Sequence, residues 1–158
     1  MVNTIVIDTT YLLPIFGIGI KLKDFEKLFP KLINMYRVLY NPISIIEAKW
    51  IVMRLIRRNP GLRYKLLERF RVGLKTLYAE EKIEQTQLTN YDIEEIADVL
   101  LLKVGVKDYF DRVIYATAAH YKTPLLTEDE ELRKILSINS IPKPPRIINW
   151  DEVIKLIT

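Results

Sequence analysis

The sequence predicts an α/β protein: a three-layer α/β/α sandwich around a central, mainly parallel sheet. Three observations carry this. Short apolar runs such as "TIVID" (Thr4 to Asp8), "TPLLT" and "RIINW" are separated by longer segments with helical spacing. "TIVID" is continuously apolar, the pattern of a strand buried on both faces. The alternation of such strands with helices implies parallel pairing. A chain of 158 residues, 49% of them apolar, suits one domain, spanning residues 1–158, with one core.

The elements follow in order. "TIVID" opens the sheet. "KDFEKLFPKLINMY" is helical through Phe25, Leu28, Leu32 and Met35, with Pro30 a flaw in its interior. "RVLYNP" is a second short strand, and Ser44 opens a long helix, "SIIEAKWIVMRLIRR", that stops before "NPG" at Asn59 to Gly61. "LRYKLLERFRVGLKTLYAEEKI" is another helix, weakened by Gly73, and "KIEQTQL" is a strand or a connection. "YDIEEIADVLLLKVG" is a helix ending near Gly105, and Asp108 starts "DYFDRVIYATAAHYK". "TPLLT" is a strand, "EDEELRKIL" a helix and "PKPPR" a stiff spacer. "RIINW" and "DEVIKLI" close the chain as a strand and a helix.

Composition removes whole classes of chemistry. There is no cysteine, which excludes disulfides, thiolate metal sites and cysteine nucleophiles. The one histidine, His120, excludes a multi-histidine zinc site. A divalent metal would need oxygen ligands, which favours Mg2+ or Mn2+. The net charge of +4 is compatible with a nucleic-acid partner. The apolar start carries Asp8 and lacks a basic leader region, so it reads as a core strand, not a signal peptide or membrane span, and the expected location is the cytoplasm.

Ligand sites in open parallel sheets form outside the carboxyl ends of the strands. Four acids are expected there. Asp8 ends the first strand, and Glu47 lies three residues beyond Ser44. Asp111 lies three residues beyond Asp108, and Asp129 follows "PLLT". Each has an ordinary structural explanation. Ser44–Glu47 and Thr127–Glu130 fit capping boxes, and Asp108 can cap its helix. Asp8 fits this explanation least, because it ends a buried run with no basic residue nearby in sequence. If the four converge, their repulsion calls for a hard cation, which would bind phosphate oxygens and activate water.

The segments "IVIDTTYLL", "ISIIEAKW", "DRVIYATAAHY" and "PLLTEDEELR" together resemble the PIN-domain ribonucleases, and within them the VapC-type toxins. The resemblance spans nearly the whole chain and implies a single PIN-like nuclease domain. It implies Mg2+- or Mn2+-dependent cleavage of RNA, with Asp8, Glu47, Asp111 and Asp129 as metal ligands and water activators. Thr127 matches a small hydroxyl residue beside the last acid, and Thr9 or Thr10 those after the first. The implied partners are RNA, a cognate antitoxin and a second copy of the chain. Asp108 remains a rival to Asp111, and the neighbouring glutamates, Glu128 first among them, are rivals to Asp129. Within "PLLTEDEELR" the expected division is a Thr127–Glu130 cap, surface charge at Glu128 and Glu131, and Asp129 facing the site.

Arg54, Arg57 and Arg58 belong to a basic stretch, interleaved with Tyr64 and Phe70, that suits an RNA backbone or a solvated helix face equally. Trp50 reads as core, and His120 as a packing or surface residue. Two other functions compete: a silent RNA- or protein-binding module on the same fold, and a nuclease of RNA processing. A phosphatase of the haloacid-dehalogenase type would want an acid where Thr10 stands.

Overall fold

A computed structural model describes residues 3–158. Its strands are β1 (Asn3–Ile7), β2 (Tyr36–Tyr40), β3 (Ile83–Gln85), β4 (Leu125–Leu126) and β5 (Ile147–Ile148). They form one five-stranded sheet in the order β3-β2-β1-β4-β5. Every pairing is parallel. The helices are α1 (Phe25–Met35), α2 (Ile43–Arg58), α3 (Arg63–Ala79), α4 (Tyr91–Val99), α5 (Tyr109–His120), α6 (Glu130–Lys134) and α7 (Trp150–Ile157).

Strand side chains alternate between faces, and here both faces are buried. Ile5, Ile7, Val38, Tyr40, Leu126 and Ile148 face a core completed by α1, α3 and α7. Val6, Leu39, Leu125 and Ile147 face a second core completed by α4 and α5. The two cores explain the continuous apolar runs and make the three layers. From β1 the chain steps outward to β2 and β3, then returns to the other side of β1 for β4 and β5. The order therefore reverses between β1 and β4, and the carboxyl ends of these strands are where open parallel sheets place their ligand crevice. Asp8 and Thr127 are the first residues past those two strands.

Several elements differ from the expectation for physical reasons. Helix α2 begins at Ile43, one residue before Ser44, because Asn41 Oδ1 accepts the Ile43 amide at 2.8 Å. The Ser44–Glu47 box therefore does not form; Ser44 Oγ is buried without a partner among the described residues. The second core helix ends as α at Val99 and continues as a π turn through Val104 to Gly105, whose φ of 82° closes it. Helix α3 stops at Ala79, short of Ile83, which starts β3. Gly73 is demanded by packing: a Cβ there would lie 2.3 Å from the Ile15 carbonyl oxygen, on the 3-10 turn Leu13–Phe16. Among the described residues no helix is long and apolar enough to cross a membrane.

Candidate active site

The four acids stand around the carboxyl ends of β1 and β4, near enough for their charges to reach one another. Asp8 is 8% exposed. Its Oδ2 accepts a 2.6 Å hydrogen bond from the Thr127 hydroxyl. Thr127 Oγ1 in turn accepts the Asp129 amide at 3.1 Å. One buried hydroxyl thus ties the end of β1 to the segment that carries the last acid. This corrects the expected Thr127–Glu130 cap. Asp129 caps α6 itself, with Oδ1 accepting the Glu131 amide at 2.7 Å and the Leu132 amide at 3.3 Å. Glu130 is exposed on the first turn.

Glu47 reaches the crevice from α2. Its Oε2 accepts from the Thr9 hydroxyl, in the 3-10 turn Thr9–Tyr11 that follows Asp8. Asp111 arrives from the first turn of α5, whose N-cap is Asp108; Asp108 Oδ1 accepts the Phe110 amide at 2.8 Å and the Asp111 amide at 3.3 Å. Asp108 is committed to capping, while the Asp111 carboxylate makes no hydrogen bond among the described residues.

The electrostatics show that these side chains feel one another. Burial pushes the Asp8 carboxyl up, opposed by the Thr127 hydrogen bond and reinforced by the Asp129 charge. Burial also raises Glu47, with Thr9 opposing and Asp8 and Asp108 adding repulsion. Asp111 is pushed up to about 8, first by burial and then by the charges of Asp108, Asp8, Asp129 and Glu47. The adjacent Arg112 does not neutralise the cluster: it turns toward α4, 3.3 Å from the Ala97 carbonyl and 3.9 Å from Asp98. Arg54 is the cation whose charge reaches Glu47.

The donor chemistry suits a hard divalent cation: oxygen ligands only, and mutual repulsion with little basic compensation. As placed, however, the described residues include no group of three or more His, Asp or Glu side chains that could hold an ion. The carboxylates stand around the crevice and would have to close inward on a cation. Asp111, with no hydrogen bond to break, is the freest to do so.

Three residues matter here that the sequence reading misplaced or passed over. Glu128 is not surface charge. It accepts from the buried Tyr11 hydroxyl and, at 2.7 Å, from the Trp150 amide, tying the turn after Asp8 to the start of α7. Asn41 is fully buried, and its Nδ2 donates to the Gln87 and Leu88 carbonyls and to the Thr117 hydroxyl, so that one side chain sets both the start of α2 and the seat of α5. An Asn before Pro at a helix start was the available signal. Trp50 is 60% exposed, not core, and meets Phe110 edge-on with ring centroids 6.3 Å apart.

Arg54, Arg57 and Arg58 are all exposed on α2. Phe70 is core, and Tyr64 is exposed. His120 ends α5, opposite the Asp111 end, where it lies 3.6 Å from Asp92 and 3.4 Å from Asn90.

The family model for the PIN domain matches residues 5–136. Among solved structures, the chain is similar to the crystal structure of PAE2754 from Pyrobaculum aerophilum, with a TM-score of 0.64 and 13% identity over 99% of this chain and 96% of that one. At that identity the likeness speaks for the fold. No curated protein matches.

Proposed function

Because the chain belongs to the PIN domain family, whose members are generally nucleases, we propose that residues 1–158 form one Mg2+- or Mn2+-dependent endoribonuclease domain, the toxin of a VapBC-type pair. The observation that supports it best is that Asp8, Glu47, Asp111 and Asp129 stand around the β1–β4 switch point within reach of one another's charge, where burial first, and then the charges of Asp108, Asp8, Asp129 and Glu47, push Asp111 up to about 8. Structural acids are ordinarily paired with cations or fully hydrogen-bonded; a cluster that raises its own proton affinity points to a site that works with an added positive charge.

A divalent cation bound there would neutralise the carboxylates, polarise a phosphodiester and lower the pKa of an attacking water. The chain's own residues supply position. Asp8 is fixed through Oδ2 by the Thr127 hydroxyl, and the Thr9 and Thr10 amides also bond its carboxylate. Glu47, held through Oε2 by Thr9, has Oε1 left to orient the water. Asp129 spends Oδ1 on the cap of α6 and keeps Oδ2. Asp111 holds a proton near neutral pH and gives it up when positive charge arrives. Arg54, Arg57 and Arg58 lie along the same helix as Glu47, where they would hold the RNA backbone.

The toxin role, an antitoxin partner and a homodimer rest on the resemblance of the four acid-bearing segments to VapC-type toxins. The test is cleavage of labelled RNA. The wild-type chain should cut it in Mn2+ and not in EDTA, and Asp8→Asn should abolish cleavage while leaving the fold intact. Full activity in Asp8→Asn, after repurification, would sink the assignment. A chain that binds RNA but never cuts it would favour the silent binding module, the reading to which the open spacing of the acids belongs.

A further inference from the structure

A large indole standing in water at the rim of an acidic crevice has no structural purpose that the fold supplies. Trp50 is 60% exposed, although Ala48 and Val52 of the same helix are fully buried. It lies one turn beyond Glu47 on α2, and its ring touches that of Phe110, the residue before Asp111. The aromatic pair therefore comes from the two helices that deliver Glu47 and Asp111. At about 100° per residue, Glu47, Trp50, Arg54 and Arg57 fall on one stripe of α2, with Arg58 at its edge. Reading outward along that stripe, acid gives way to aromatic surface and then to positive charge.

That sequence of chemistries matches a strand of nucleic acid: a phosphate at the acids, a base beside it, and further phosphates at the arginines. The edge-on contact with Phe110 holds the indole at a fixed tilt, and an indole has few rotamers to lose on binding. A base in an A-form duplex is already stacked on its neighbours and cannot reach such a ring; an unpaired base can. Resting on the nuclease reading for the identity of the strand, we propose that Trp50 and Phe110 form a platform on which an unpaired base stacks next to the phosphate at the acids.

The test exploits the fact that Trp150 is buried and Trp50 is exposed. In Ca2+, a hard oxygen-liganded cation that supplies positive charge at the acids, and with strand integrity checked on a gel, a fluorescein-labelled single strand of mixed sequence and the same strand annealed to its complement are titrated into the protein. Binding is followed by anisotropy and by tryptophan emission. The single strand should quench the emission of the native chain. Trp50→Ala should remove that quenching, leave the Trp150 emission, and weaken single-strand affinity by roughly 5- to 150-fold, the worth of one base–aromatic stack. Trp50→Phe should retain most of the affinity. Equal affinity of the native chain for the two RNAs, absence of single-strand binding, or unchanged binding by Trp50→Ala would each overturn the proposal. So would a change of Trp50→Ala from dimer to monomer in sedimentation with RNA affinity intact, which would make the patch a protein contact. A native chain that shows the stacking but cuts no RNA in Mn2+ would refute the nuclease reading and leave this one standing.

Discussion

Replacing Asp111 with Asn should make the protein more stable, and only above acid pH. The Asp111 carboxyl is pushed from 3.8 to about 8. Between those values the folded chain holds a proton that the unfolded chain releases, so stability falls as pH rises through that window. Below about pH 4 both states are protonated and nothing is lost; above about pH 8 both are ionised and the penalty is complete. At about 1.4 kcal/mol per tenfold change in acidity, the ceiling is about 6 kcal/mol. Asp111 is only partly buried, and water screens its repulsion, which leaves about 2 kcal/mol. Asparagine keeps the shape and removes the charge. In EDTA at pH 8, thermal unfolding of Asp111→Asn should lie about 4–8 °C above wild type for a chain of this size. At pH 4 the two curves should nearly coincide. A variant that is no more stable than wild type at pH 8, or equally stabilised at both pH values, would refute the claim that burial and the neighbouring carboxylates together penalise the Asp111 charge.

Three further outcomes follow from the packing. Glu128→Ala removes the acceptor for the Tyr11 hydroxyl and the Trp150 amide and should cost about 3 kcal/mol in urea unfolding, since hydrogen bonds to charged groups are worth about 1.5–3 kcal/mol each. Gly73→Ala drives a methyl into the Ile15 carbonyl and should cost about 1–3 kcal/mol in the same assay, although alanine ordinarily favours a helix. Asn41→Ala leaves the Ile43 amide and the Gln87 and Leu88 carbonyls without their side-chain partner and cuts the link to the Thr117 hydroxyl; it should lower stability by about 2–3 kcal/mol, with RNA cleavage falling further because Glu47 and Asp111 lose their common anchor.

What the sequence made legible was local pattern. Continuous apolar runs located the strands because burial on both faces leaves no polar alternation to confuse them. The position of Asp8 at the end of such a run pointed to the crevice, since a carboxylate there has to have a reason. Caps were legible in type but not in register: Ser44 fits the motif, yet Asn41 and Pro42 start α2 one residue sooner, and the short β4 hands capping to Asp129 while Thr127 turns to Asp8. Glu128 could not be read, because its partners Tyr11 and Trp150 lie far away in the chain. Trp50 reads as core rather than base-stacking from its place beside Glu47, yet Ala48 and Val52 mark the buried face of α2 and put Trp50 on its far side.

The most direct test of the metal-dependent site is a crystal soaked in Mn2+ at about pH 8, where Asp111 gives up its proton, with anomalous scattering used to locate the ions. The acids should close on the cation, with a peak among Asp8, Glu47, Asp111 and Asp129 that disappears in Asp8→Asn. No peak in that crevice at saturating Mn2+, or a peak bound only elsewhere, would contradict the account.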